Sequence, residues 1–362
     1  MVRQWSHPAK ILKLAVLVCF LWACAHLLEW SNNYTPSISL ADGTPNNNNR
    51  DGICRAHGWK PFKHQGEGYP PRKVYDLMMV NTELDWLEIR LNSTWDAVDY
   101  FVLVEGSKTF TLLDKPLVLK ENLHKLDAYR DKIIYHEIEY PDDWKPGSAW
   151  EVEDFQRNSM FDQVFPRLQG RQVPTWGDVI VVSDVDEIPR PETFALLKAC
   201  RFPRRLTLRS RFYYYSFQYL HRGPEWAHPE ATYYQGPAKT LRPNDLRMGL
   251  NGWFLSLWWE RGQLANASWH CSSCFATMEE LLVKMRAFSH TSYNAARFRE
   301  PAHIADRVRN GKDLWDRPGE EYDRIEDNRD VPSFLLQNRE RFGYMLNRDG
   351  PSAGFVDYHP DE

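Results

Sequence analysis

The sequence has no surplus of basic residues. Its 45 Lys and Arg are outnumbered by 49 Asp and Glu, for a formal charge of −4. A protein that neutralises nucleic-acid phosphates needs the opposite balance, so nucleic acid is set aside as a partner. Cysteine is scarce as well, six in 362 residues, and Cys19 and Cys24 lie inside an apolar segment. A lone C-x-x-C, Cys271 and Cys274, has no second pair to complete a zinc site, and a structural disulfide is the better reading. Cys54, Cys200, Cys271 and Cys274 still allow three pairings. Internal repeats are absent.

What is present begins at the N-terminus. Arg3, Lys10 and Lys13 precede "LAVLVCFLWACAHLLEW", and with Ile11 and Leu12 the apolar stretch reaches the length of a bilayer helix. The basic flank predicts a cytoplasmic tail over 1–10, a signal-anchor transmembrane helix over 11–30 and a lumenal body. A cleaved signal peptide is the alternative, with "ACA" as a cleavage site and a secreted product. Either route leads to an oxidising compartment, where the remaining cysteines can pair. Residues 31–71, rich in Asn, Gly, Pro and Ser, read as a flexible stem. Sequons at Asn33, Asn92 and Asn266 permit glycosylation. The 15 Trp, 17 Tyr and 18 Phe suit a ligand with sugar or base faces, or simply an aromatic core.

From 72 to 348 the pattern is that of one catalytic domain, with 349–362 as a loose tail. Strands are expected at 73–80, 100–105, 132–139 and 178–184, and a helix at about 150–168, where Phe161, Val164, Phe165 and Leu168 share a face. Strands alternating with helices predict an α/β fold with a mostly parallel central sheet, and the wholly apolar "VIVV" suits a sheet covered on both faces. "RRLTLRSRFYYYSFQY" (204–219) and "GWFLSLWW" (252–259) read as antiparallel aromatic strands, serving as a stacking platform or as core. Helices are expected at 277–288, opened by a Thr277/Glu280 capping box, and at 302–311, closed by Gly311.

"DVIVVSDVDEIPRP" (178–191) carries the chemistry. Asp184 and Asp186 follow a buried strand, at the end where open α/β sheets bind ligands, and residues two apart in extended chain face one way. Carboxylates this close repel, and Mn²⁺ or Mg²⁺ bridging to a substrate diphosphate would cancel the repulsion. A solvated acidic turn is the plain alternative. A D-x-D phosphatase would want Thr at Ile188, and a calcium lectin is the reading without catalysis.

"RKVYDLMMVNTELDWLEIRL", "DYFVLVEGSKTFT", "FQRN", "VVSDVDEIPRP", "WHCSSCF" and "FSHTSYN" together resemble glycosyltransferase family 17, the family of the animal bisecting β-1,4-mannosyl-glycoprotein 4-β-N-acetylglucosaminyltransferase. The resemblance runs from about Arg72 to Asn347. It implies a GT-A-like nucleotide-sugar fold, a divalent metal, and inverting transfer of GlcNAc from UDP-GlcNAc to a glycan acceptor by a type II Golgi membrane protein. On that resemblance Asp184, Asp186 and Glu187 form the catalytic set, with Asp184, Asp186 and His270 at the metal. Glu83, Glu105, Arg157 and His290 are the expected substrate contacts. Glu187, Glu260 and Glu279 are the candidates for a general base, and 220–250 is the stretch expected to choose the acceptor.

Overall fold

The computed structural model describes residues 17–18, 22, 38–39, 50–63, 70–252, 257, 259–287 and 295–360. Most of the expected anchor, 11–30, lies outside them, as do parts of the stem and His290. Among the described residues no helix is long and apolar enough to cross a membrane.

One sheet organises the chain. Strands β1 (Val74–Met79), β2 (Tyr100–Glu105), β3 (Ile133–Glu137) and β4 (Val179–Asp184) lie in the order β3-β2-β1-β4, all parallel. Helix α1 (Leu84–Thr94) follows β1, the short α2 (Val118–Asn122) follows β2, and α3 (Ala149–Asp162) carries the chain back across the sheet toward β4. The strands bury both faces, as a parallel sheet must. Val74, Met78, Val179 and Val181 pack with Trp86, Leu87, Ile89 and Leu91 of α1. Tyr75, Leu77, Ile180 and Val182 pack with Met160 and Phe161 of α3. The order in which strands are laid down reverses between β1 and β4, with β2 and β3 on one side of β1 and β4 on the other, which opens a crevice at their carboxyl ends.

Past β4 come β5 (Glu187–Pro189), α4 (Pro191–Ala199), β6 (Arg205–Tyr214), β7 (Ser216–His221), β8 (Glu230–Tyr233), α5 (Pro243–Arg247), β9 (Arg261–Ser272), α6 (Met278–Ala287), α7 (Pro301–Arg309) and β10 (Tyr322–Arg324). β8 lies antiparallel between β4 and β6, and β5 pairs antiparallel with β9. The sheet is therefore mixed, with its parallel block at one side.

Several expectations need correcting. The expected strand 204–219 is two strands, β6 and β7, joined at Tyr215 with φ 65°. β6 and β7 pair antiparallel, as expected, but the longest pairing of β6 is with β9, which runs parallel to it. β9 went unseen because "RGQLANASWHCS" alternates poorly and carries a register shift between Leu264 and Ser268. In "GWFLSLWW", Leu257 and Trp259 are helical and Trp253 to Ser256 lie outside the described residues. The third helix stops at Asp162, and Pro166 opens a separate 3₁₀ turn over Phe165–Arg167.

The expected stem boundary at 71 also falls too late. Helix Arg50–Ala56 and the pair Lys60–Pro61 with Cys200–Arg201 fold onto the body, fastened by the disulfide Cys54–Cys200. Arg72 completes the join, its guanidinium 4.0 Å over Phe62 and bonded to the carbonyls of Gly177, Leu197 and Cys200. The expected loose tail is tied down as well. Ala353 and Phe355 are buried, and Asp357 accepts from the Met278 and Glu279 amides at the start of α6. The second disulfide joins Cys271 to Cys274.

Candidate active site

The D-x-D turn stands on a buried arginine. Arg90 of α1 is fully buried, and its Nε and Nη2 clasp both oxygens of Asp76 in β1 at 2.8 and 2.6 Å. Nη2 also donates to Ser183 Oγ, and Nη1 donates to the carbonyls of Asp184 (3.0 Å) and Glu187 (2.7 Å). One planar fork thus fixes the backbone on both sides of Asp186. The sequence held a signal for this. Arg90 lies three and four residues after Leu87 and Trp86 on the apolar stripe of α1, where a lone charge needs a buried partner.

Glu187 is buried, and all its acceptor capacity is engaged. Its Oε1 accepts from Trp226 Nε1 (2.7 Å) and Arg247 Nη2 (2.9 Å); its Oε2 accepts from Arg247 Nη1 (2.8 Å) and the Asp184 amide (2.9 Å). Burial pushes this carboxyl up, but Arg247 outweighs it and holds it well below the usual range. A carboxylate so held is a poor proton acceptor, which removes it as general base. It works as a clamp instead. Arg247 also reaches Asp184 Oδ2 at 2.8 Å, and Arg157 Nη2 lies 3.7 Å from Asp184 Oδ1. Two arginines therefore neutralise much of the repulsion expected within the cluster.

Asp186 is different. Its side chain is 17% exposed, and the one ion-pair contact found for it among the described residues is His270 Nδ1 at 3.7 Å. Burial raises its pKa; His270 and Lys284 pull it down, and Glu187 and Asp184 push it up. His270 sits opposite Glu187 in the β5–β9 pairing, and its ring packs against those of Phe212 (5.1 Å) and Trp226 (5.3 Å), which also touch each other. Glu83, at the exit of β1, completes the group. Its Oε2 accepts from the Asn81 and Thr82 amides, and burial followed by Asp186 raises its pKa. Oε1 makes no hydrogen bond among the described residues.

Among the described residues no group of three or more His, Cys, Asp or Glu stands ready to hold a metal alone. Asp186 with His270 offers one carboxylate and one imidazole. That pair fits a divalent ion that takes its other ligands from water and substrate phosphate. Asp184, already bonded to Arg247, is the weaker candidate ligand.

Other expected residues stand elsewhere. Glu105 is engaged within the fold: its oxygens accept from the Leu119 and Lys120 amides and so cap α2. Glu260 is ion-paired with Arg204 and Arg205, and Glu279 lies exposed beside Arg286. Neither joins the cluster as a base. Tyr213, Tyr214, Tyr215, Phe217 and Tyr219 are core, not a platform. An exposed ring that does touch the cluster is Trp226, which with Arg247 comes from the unpatterned stretch 220–250, where spacing offered no signal.

Behind the cluster, Glu230 of β8 is buried and bonded to Thr207 Oγ1. Burial pushes its pKa up to about 8. His228, 3.7 Å away, is pushed down to about 4 by burial and then by Arg247. A carboxyl raised on folding stabilises below its unfolded pKa and loses that contribution as pH rises through the folded value. Glu230→Gln is therefore expected to gain on the wild type between pH 5 and 9, by a few kcal/mol at roughly 1.4 kcal/mol per pKa unit. Urea unfolding at the two pH values checks this; parallel curves would refute it.

The model of glycosyltransferase family 17 matches residues 23–350. The beta-1,4-mannosyl-glycoprotein 4-beta-N-acetylglucosaminyltransferase of Homo sapiens is 25% identical over 312 residues, covering 76% of this chain and 55% of that protein. The Rattus norvegicus protein of that name is 25% identical over 311 residues, with the same coverage. The chain thus spans about half the length of the curated relatives it matches. Among solved structures, a mannosyltransferase from Pyrobaculum calidifontis in complex with GDP-Man and Mn²⁺ is 12% identical with a TM-score of 0.33, covering 67% of this chain and 64% of that one.

Proposed function

The chain belongs to glycosyltransferase family 17, and from that premise we propose an inverting, metal-dependent transferase that moves GlcNAc from UDP-GlcNAc to a mannose of an N-glycan. We place it in the Golgi lumen behind an N-terminal anchor over 11–30. The observation that carries the reading is Asp186, a desolvated carboxylate at the exit of β4, with no guanidinium or ammonium in ion-pair contact among the described residues. Its neighbours Asp184 and Glu187 are already paired with Arg247. A site that lacks one positive charge suits a cation–diphosphate complex.

Asp186 and His270 would hold Mn²⁺ or Mg²⁺, with Asp184 beside them, and the ion would stabilise charge gathering on the departing diphosphate. The chain's own residues supply the frame. Arg90 holds the turn, Arg247 and Glu187 keep Asp184 oriented, and Arg157 adds positive charge beside Asp184. Glu83 presents Oε1 to a ribose or sugar hydroxyl. Direct displacement at C1 inverts its configuration without a covalent intermediate, and requires one base to take the acceptor proton.

The test is release of nucleotide from a panel of UDP- and GDP-sugars with Mn²⁺, with and without a mannose-terminated N-glycan. Release from UDP-GlcNAc, stimulated by the glycan, is the expected result. Silence with every donor, alongside glycan binding, would make this a carbohydrate-binding protein instead.

A further inference from the structure

The aromatic contacts do not end at His270. Trp226, Phe212, His221 and Tyr322 continue from it, with ring centroids 5.7, 5.2 and 5.5 Å apart. Strand pairing explains the run. Phe212 sits opposite His270 across β6 and β9, and His221 sits opposite Tyr322 across β7 and β10. None of the four is fully buried: Trp226 is 37% exposed and the others are half-buried. This sets them apart from the neighbouring Tyr213, Tyr215 and Phe217, which are closed off in the core.

The run ends at a cleft of about 430 Å³ that Tyr322 lines together with Arg307, Arg317 and Glu320. Arg307 Nε and Tyr322 Oη of the lining, and Nδ1 of His221 next to Tyr322 on the run, are buried without hydrogen-bond partners. The opposite ends of the His221 and Arg307 side chains are engaged, His221 Nε2 with Glu320 at 3.1 Å and Arg307 Nη2 with Asp316 at 2.6 Å. The side chains are therefore oriented, and each turns one unused nitrogen elsewhere. Unsatisfied buried polar atoms are rare in folded proteins and call for a ligand or water. The lining holds four cationic and four acidic side chains. That balance suits a neutral, hydroxyl-rich ligand better than a phosphate.

We propose that the track Trp226–Phe212–His221–Tyr322 and the cleft at its end hold the acceptor oligosaccharide, a neutral glycan lying on the aromatic faces with its reacting end beside Asp186. The inference rests on the transferase reading of the carboxylate cluster. Topology supports the division of labour. A nucleotide would take the carboxyl ends of β1, β2 and β4, whereas the track crosses β6, β7 and β10 on the other side of Asp186. Donor and acceptor then approach without competing. Trp226 is ready for this role, because its indole is pinned by Glu187 and His270 and loses no rotamer freedom on binding.

The experiment titrates a free biantennary N-glycan by calorimetry into the full chain in detergent, holding UDP and Mn²⁺. The variants are Arg307→Gln and Glu320→Gln, with UDP affinity and melting temperature measured on the same samples. Each variant is expected to bind the glycan about tenfold more weakly, the scale of a hydrogen bond lost to a charged group, with UDP binding and melting unchanged. Equal glycan affinity in all three proteins would overturn the inference, as would a wild type that binds UDP but not the glycan. A wild type that binds the glycan with the expected variant losses, but not UDP, would remove the transferase reading and leave the track standing.

Discussion

Asp186→Asn should lower nucleotide release from the sugar nucleotide by at least about 10²–10³-fold, the scale on which loss of one charge-stabilising contact acts. The fold should survive, and the reason lies in the sign of the shift. Burial raises the Asp186 pKa, so the charged form costs the folded state, and its contribution to stability is lost as pH rises from the ordinary carboxyl value through the raised one. A neutral amide of the same shape removes that cost, so melting at pH 7 is expected to stay level or rise. Loss of activity with retained or improved stability is the signature of a group kept for chemistry rather than for folding. Unchanged turnover in the variant would remove Asp186 from the mechanism. Lower stability with lost activity would instead make it part of the frame.

Arg90→Met is expected to act in the opposite sense, on stability first. The guanidinium and the Asp76 carboxylate are both wholly buried, 2.6 Å apart at their closest. Removing one partner strands the other charge and costs about 3–5 kcal/mol. The variant also loses the donors that fix the Asp184 and Glu187 carbonyls, so any folded fraction should turn over donor poorly. The companion Arg90→Met/Asp76→Leu tests the cause, because replacing both partners by apolar side chains of similar volume removes the stranded charge. Urea unfolding should show most of the lost stability returning in the double variant while activity stays low. If the double variant is no more stable than the single one, the buried pair is not what the turn rests on.

Much of the parallel half could be read from residue patterns. "VYDLMM", "YFVLVE" and "VIVVSD" are apolar runs of strand length, and they became strands within a residue or two of expectation. The Thr277/Glu280 capping box formed as read, with Thr277 Oγ1 and its amide both bonded to Glu280. The second half was less legible. β9 breaks its own alternation at Asn266, where φ is 54°, and its partners are set by distant strands rather than by anything within its twelve residues. Glu105 looked like a ligand contact because it ends a strand; its hydrogen bonds to α2 come from a helix fourteen residues on.

Local order by itself determined the strand exits, and hence that Asp184, Asp186 and Glu187 would emerge together at the carboxyl edge of a parallel sheet. It could not determine which of the three would be left short of positive charge. That was decided by Arg247, sixty residues later, which bonds Glu187 and Asp184 and leaves Asp186 to His270. The physical reason is range. Backbone periodicity is written in neighbouring residues, whereas the charge on a carboxylate depends on every group folded within a few ångströms of it, whatever its place in the chain.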